Sequence, residues 1–245
     1  MLKNVWSSGK NNEEKYSLKE MLQFLRYKPI WAAFAATLIV GTGSSIAGGA
    51  GAYFYTYVLG DMKLMSGVSV IGLIASLVGI VMGPYLANRF GKKKVYLTAV
   101  IISTALNLLR LLDVTSMILI YISALIGGVA GGWMVPVNTS IQADNTTYVQ
   151  YKTGKRAEAA IASLTSFVSK VAQGLGGAIP GYVIAAYGFV TGASVQPESI
   201  NTGIILCALI LPLIFGILGL LIFGTQYTLD QKAVIEMDAK INRNN

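Results

Sequence analysis

Apolar residues run through this chain in blocks too long for core strands. A membrane-crossing helix needs about 20 predominantly apolar residues, with a range of about 17 to 25 and more when tilted. Six blocks meet that length, approximately Ile30 to Leu59, Ser66 to Ala87, Val95 to Leu112, Ser116 to Val137, Ala157 to Tyr187 and Ile200 to Phe223. Polar or glycine-containing breaks separate them. The pattern predicts an all-α polytopic membrane protein. Residues 1–28 form a tail, 29–224 a bundle of six transmembrane helices, and 225–245 a second tail.

The linkers alternate in charge, and that sets an orientation. Lys3, Lys10, Lys15, Lys19, Arg26 and Lys28 precede the first block; Arg89 and Lys92 to Lys94 lie between the second and third; Lys152, Lys155 and Arg156 lie between the fourth and fifth; Lys232, Lys240 and Arg243 follow the sixth. The other linkers hold one basic residue, Lys63. The positive-inside rule therefore places both tails and the two basic linkers on the cytoplasmic face of a cell membrane, in contact with its lipid. The even number of spans agrees. The net charge of +8 is thus topological, and no recognition element for nucleic acid gathers it. The first 28 residues are polar and mixed in charge, without the short apolar stretch of a secretory signal.

Composition excludes most chemistry. The chain of 245 residues is 54% hydrophobic and 12% charged, where soluble domains carry roughly a quarter charged residues. It has no histidine and a single cysteine, Cys207, so zinc centres, imidazole catalysis and intrachain disulfides are not expected. A membrane enzyme finds no nucleophile–base pair or metal cluster here. Glycine is frequent within the blocks, as in GTGSSIAGGAG from Gly41, GGVAGG from Gly127 and GLGGAIPG from Gly174. Such runs serve either as packing faces or as flexible, broken helices around a cavity.

Lys170 stands inside an apolar block. It lies thirteen residues beyond Ala157 and eighteen before Gly188, roughly 20 Å and 27 Å of helix, hence near mid-membrane. Snorkelling serves lysines near helix ends and is strained at this depth. Ser166, Lys170, Gln173 and Gly177 are spaced four, three and four, one helix face, with Thr165 and Ser169 beside it. Hydroxyls and amides on that face suit either sugar hydroxyls or interhelical hydrogen bonds. Trp133 suits either stacking on a sugar ring or an interfacial aromatic belt. Every acid falls near or outside a membrane face, so Lys170 meets carbonyls, hydroxyls and water, or an anion from elsewhere. Arg110 and Asp113 lie close to the outer edge of the third block, where snorkelling and a local ion pair account for both, and no transport role is expected of either.

Two motifs carry a resemblance. GPYLANRFGKKK, Gly83 to Lys94, is similar to the short loop motif of the major facilitator superfamily, with Asn88 where that motif has its aspartate. The stretch from Gln142, QADNTTYVQYKTGKRAEAAIASLTSFVSK, resembles the corresponding region of the glycoside-pentoside-hexuronide:cation symporters, the melibiose-permease-like branch. YFYTYVLGD, Tyr53 to Asp61, is similar to the aromatic end of that family's seventh helix. The likeness covers the chain from about Ser17 onward and matches the second half of such a transporter, one six-helix bundle of two.

The resemblance implies sugar:cation symport by alternating access, this chain supplying the carboxyl-terminal half and an amino-terminal six-helix half acting as its partner. That half would supply the acids facing Lys170 and most of the site for the coupling cation, Na+ or H+, and no other cofactor is implied. Asp144, Arg156 and Glu158 are the expected cytoplasmic gating network. The rival expectation is a non-transporting membrane protein, or a truncated relic, that only associates with another bundle.

Overall fold

The computed structural model describes residues 18–155, 157–193 and 195–243. Among them every regular element is helical. A short helix, α1 (Leu18–Gln23), and a 3-10 turn lead into α2 (Lys28–Tyr53), where Pro29 sits in the first turn and forfeits no helical hydrogen bond. The helix passes unbroken through the Gly41 to Gly51 run and widens into a π turn, Phe54–Val58. Then come α3 (Lys63–Phe90), α4 (Lys92–Arg110), α5 (Met117–Thr153) and α6 (Glu158–Ala186). The next helix, α7 (Ser199–Ile205), continues through a second π turn into α8 (Leu211–Gln226), and α9 (Gln231–Arg243) closes the chain.

Six long rods match the six predicted blocks, but length and apolarity qualify four of them to cross a membrane: Lys28–Val58, Lys63–Phe90, Met117–Thr153 and Ser199–Gln226. The other two, α4 and α6, begin with three lysines and with Glu158, and α6 carries Lys170 and several hydroxyls. Their polar residues recur below as cavity and surface.

The fourth rod, α5, differs most from expectation. It does not end near Val137 but runs on to Thr153, where Gly154, at φ 72° and ψ 1°, closes it in the left-handed region. Buried Val137, Ile141, Asn145 and Val149 explain this, because they recur every four residues and keep one helix face against protein. On that overhang pack α9, through Val234 and Met237 near Ile141, and the α1 region, through Phe24 near Val149.

The rods form an open ring in which α3 lies along α5, α5 on α4, α4 on α8, α8 on α2, and α2 on α6. Between α2 and α5 the packing is sparse, and that side is open. The tightest seam is α3 against α5. A side chain at Gly79 would strike the Val129 carbonyl, and one at Gly132 would strike that of Ser76. Glycine there lets two backbones touch, which supports the packing reading of the glycine runs. Outside the seams, large apolar side chains such as Leu73, Val81, Phe167 and Tyr182 stand exposed, at 63 to 79%. A face of that kind in a soluble protein would aggregate; it suits lipid.

Replacing Gly132 with valine forces the seam apart and is expected to cost about 1–3 kcal/mol or more. Thermal unfolding in detergent should show a clear fall in Tm. Gly51→Ala, where an added methyl meets nothing within 4 Å, should leave Tm unchanged or slightly raised.

Candidate functional site

On α6, Ala172, Gly176 and Pro180 are buried, with Gly176 lying against Thr42 and Ser45 and Pro180 near Gly49. Helical geometry then turns Ser166, Lys170, Gln173 and Gly177 away from α2, and all four are exposed. Among the described residues, no hydrogen bond or ion pair reaches the Lys170 ammonium. Thr165, half-buried, donates its hydroxyl to the Ile161 carbonyl at 2.8 Å. The face therefore presents one cation, a hydroxyl and an amide to whatever lies beside the bundle. Trp133 does not join it. Its ring packs half-buried against the cluster around Val137 and Phe223, and the indole Nε1 is buried without a partner among the described residues.

The open side of the ring holds a cavity of about 480 Å³, within the size of small-molecule sites. It is walled by α2, α4, α5 and α8, and its polar groups are Thr37 and Ser44, Ser103, Thr104 and Asn107, and Asn138. Part of that polarity is already engaged, since the Thr37 and Thr104 hydroxyls donate to carbonyls of their own helices at 2.9 and 2.7 Å. Gly41 and Gly216 keep the walls thin. None of these residues stands out singly in the sequence. Yet Thr37, Gly41 and Ser44 repeat the four-three spacing of Ser166, Lys170 and Gln173, and so do Ser103, Asn107 and Arg110.

At the lysine-rich end, Gly91 turns the chain from α3 to α4 at φ 87°, a conformation that glycine adopts freely. The turn delivers Lys92 to Asp144, Nζ to Oδ1 at 2.6 Å, while Lys93 donates to the Tyr227 carbonyl at the same distance. Asp144 is buried, so its anion is held by a partner from a different loop than expected. Glu158 lies exposed and is not brought to Asp144, and Arg156 lies outside the described residues. The Tyr227 hydroxyl is buried and has no partner among the described residues; burial, and then the nearby Asp144 charge, push its phenol well above the usual range. The expected Arg110–Asp113 pair is also absent among the described residues. Asp113 instead accepts the Thr115 amide and hydroxyl, at 3.1 and 2.9 Å, and Arg110 turns inward over the Phe54 ring.

Comparison with known proteins places these features. A family model described as MFS/sugar transport protein matches residues 7–231. YjmB, an uncharacterized symporter of Bacillus subtilis (strain 168), is 30% identical over 232 residues, covering 92% of this chain and 50% of the relative. The glucuronide carrier protein homolog of Escherichia coli (strain K12) is 29% identical over 231 residues, 91% of this chain and 50% of the relative. The isoprimeverose transporter of Lactiplantibacillus pentosus is 28% identical over 154 residues, 61% of this chain and 31% of the relative. The chain thus spans about half the length of the first two. It belongs to the MFS/sugar transport family, as the motif resemblance implied, and is a multi-pass membrane protein.

The Lys92–Asp144 contact yields a direct check. Asp144→Asn or Lys92→Met should each destabilise by about 1–3 kcal/mol, because each leaves a partly buried charge uncompensated. The double variant K92M/D144L should lie nearer the wild type than either single change when thermal unfolding is compared across the cycle.

Proposed function

We propose that this member of the MFS/sugar transport family supplies the carboxyl-terminal half of a sugar:cation symporter that works by alternating access. The observation that carries the reading is Lys170, an exposed cation with no counter-charge among the described residues, on a face that also bears Ser166 and Gln173. An ammonium in an apolar surface is stable only against a partner or water. A second six-helix bundle would bring acids to that face and enclose a sugar between the halves, with the open cavity of α2 and α5 beside it. The length relation to the relatives supports this division.

In this reading all six long rods cross the membrane, α4 and α6 among them, because their polar groups turn toward cavity and partner rather than lipid. The lysine-rich end and both tails face the cytoplasm. There the Lys92–Asp144 contact, with Arg156 and Glu158 nearby in the chain, holds one conformation until the bundles rock. Thr165 and Trp133 support the sugar-facing walls. The solute is a glycoside, pentoside or hexuronide, and Na+ or H+, bound mainly by the other half, couples its movement to the gradient.

Expression beside the amino-terminal six helices of a related symporter, in cells without their own uptake system, is expected to restore accumulation of a labelled glycoside. Absence of uptake in correctly inserted complexes would leave only association between bundles. In the same cells Lys170→Ala should abolish gradient-driven accumulation, at least about a tenfold loss; uptake at the wild-type level would remove Lys170 from the coupling network.

A further inference from the structure

Arg110 ends α4 on the side of the bundle opposite the lysine cluster, and its side chain runs inward rather than out to solvent. Its guanidinium carbon lies 5.0 Å from the centroid of Phe54, a ring that is itself 2% exposed. The buried Nε has no acceptor, and among the described residues the group has no hydrogen bond or ion pair. It lines a second cavity, of about 240 Å³, with Tyr55, Ser103, Asn107 and Ser123. No carboxylate lines that space. Asp113, three residues beyond Arg110, accepts from Thr115, and Asp61, six residues beyond Tyr55, accepts the Lys63 amide.

Ser103 and Asn107 line this cavity and the larger one alike, so the two adjoin across one face of α4. The result is a polar seam inside the bundle, with hydroxyls and amides along it and a fork of N–H donors at one end. A guanidinium matches a planar carboxylate through two parallel hydrogen bonds, and both gain where water is scarce.

The geometry points to Arg110 as a carboxylate-binding residue that makes this chain prefer an acidic glycoside, one bearing a uronate group, over its neutral counterpart. The sugar ring lies along the seam toward Ser103 and Asn107, and the carboxylate meets Arg110. This rests on the sugar-transport reading and sharpens it.

The test is binding to the purified 245-residue chain in lipid nanodiscs, with p-nitrophenyl β-glucuronide and p-nitrophenyl β-glucoside as probes. The wild type should bind the glucuronide at least about tenfold more tightly, as a charge-assisted pair gives. Arg110→Gln should erase the preference by lowering glucuronide affinity to that for the glucoside, while Arg110→Lys, which keeps the charge and serves as the folding control, should retain part of it. Equal wild-type affinity for the two glycosides overturns the proposal, and so does a preference that survives in R110Q. Binding of neither overturns the site in this chain, while the co-expression uptake result separately decides the transport reading.

Discussion

A peptide group in an apolar medium can satisfy its N–H and C=O only within its own helix or against protein, and each bond left unmade costs several kcal/mol. That constraint organises the whole chain. It makes every described element helical. It also confines departures from the regular helix to wider π turns at Phe54–Val58 and Leu206–Ile210, where carbonyls still find donors. Once the backbone is sealed in helices, burial of apolar side chains no longer drives them together, because lipid is as apolar as they are. Close approach then decides which helices pair. Glycines at 79 and 132 bring α3 and α5 into backbone contact, and Gly176 does the same for α6 on α2. Such contact is sparse between α2 and α5, and there the ring stays open. The cavity is a consequence of where the small residues are.

Charge follows the same logic with a higher cost. Lys92 and Asp144 meet at 2.6 Å where the chain turns at the end of the bundle, and Lys93 spends its charge on a carbonyl. These cations have found partners within the chain. Lys170 and Arg110 have not, among the described residues, and both sit along helices whose surroundings are mostly apolar. Two unpaired cations in one bundle would be a defect in a protein that worked alone in lipid. They are intelligible in one that receives anions from outside its own sequence.

The fold was largely legible because lipid demands long apolar blocks, and such blocks are visible without any knowledge of contacts. The extent of α5 was not, since beyond Val137 its stripe narrows to one buried residue in four, which reads as a polar linker. The face of α6 was legible from spacing alone, and the structure places Ser166, Lys170 and Gln173 together on an exposed surface. The cavity was illegible for a different reason. Its polar residues come in small numbers from three helices, and the ring order that brings Thr37 opposite Ser103 and Asn138 lies in tertiary packing, which no single helix records. Arg110 was misjudged because its nearest acid in the chain, Asp113, is spent on a turn of its own.

Lys170 and Arg110 differ in what surrounds them. Lys170 stands on the exposed surface of α6, turned away from α2, and among the described residues no counter-charge reaches it. Arg110 turns inward over Phe54, beside a cavity of about 240 Å³ that adjoins the larger one along α4. In the proposed assembly a counter-charge at Lys170 would hold the halves together and change as they move, and one at Arg110 would arrive and depart with the cargo. If the seam of Ser103 and Asn107 connects the second site to the space beside the first, the same solute influences both, and the cost of leaving either cation bare becomes the link between occupancy and movement.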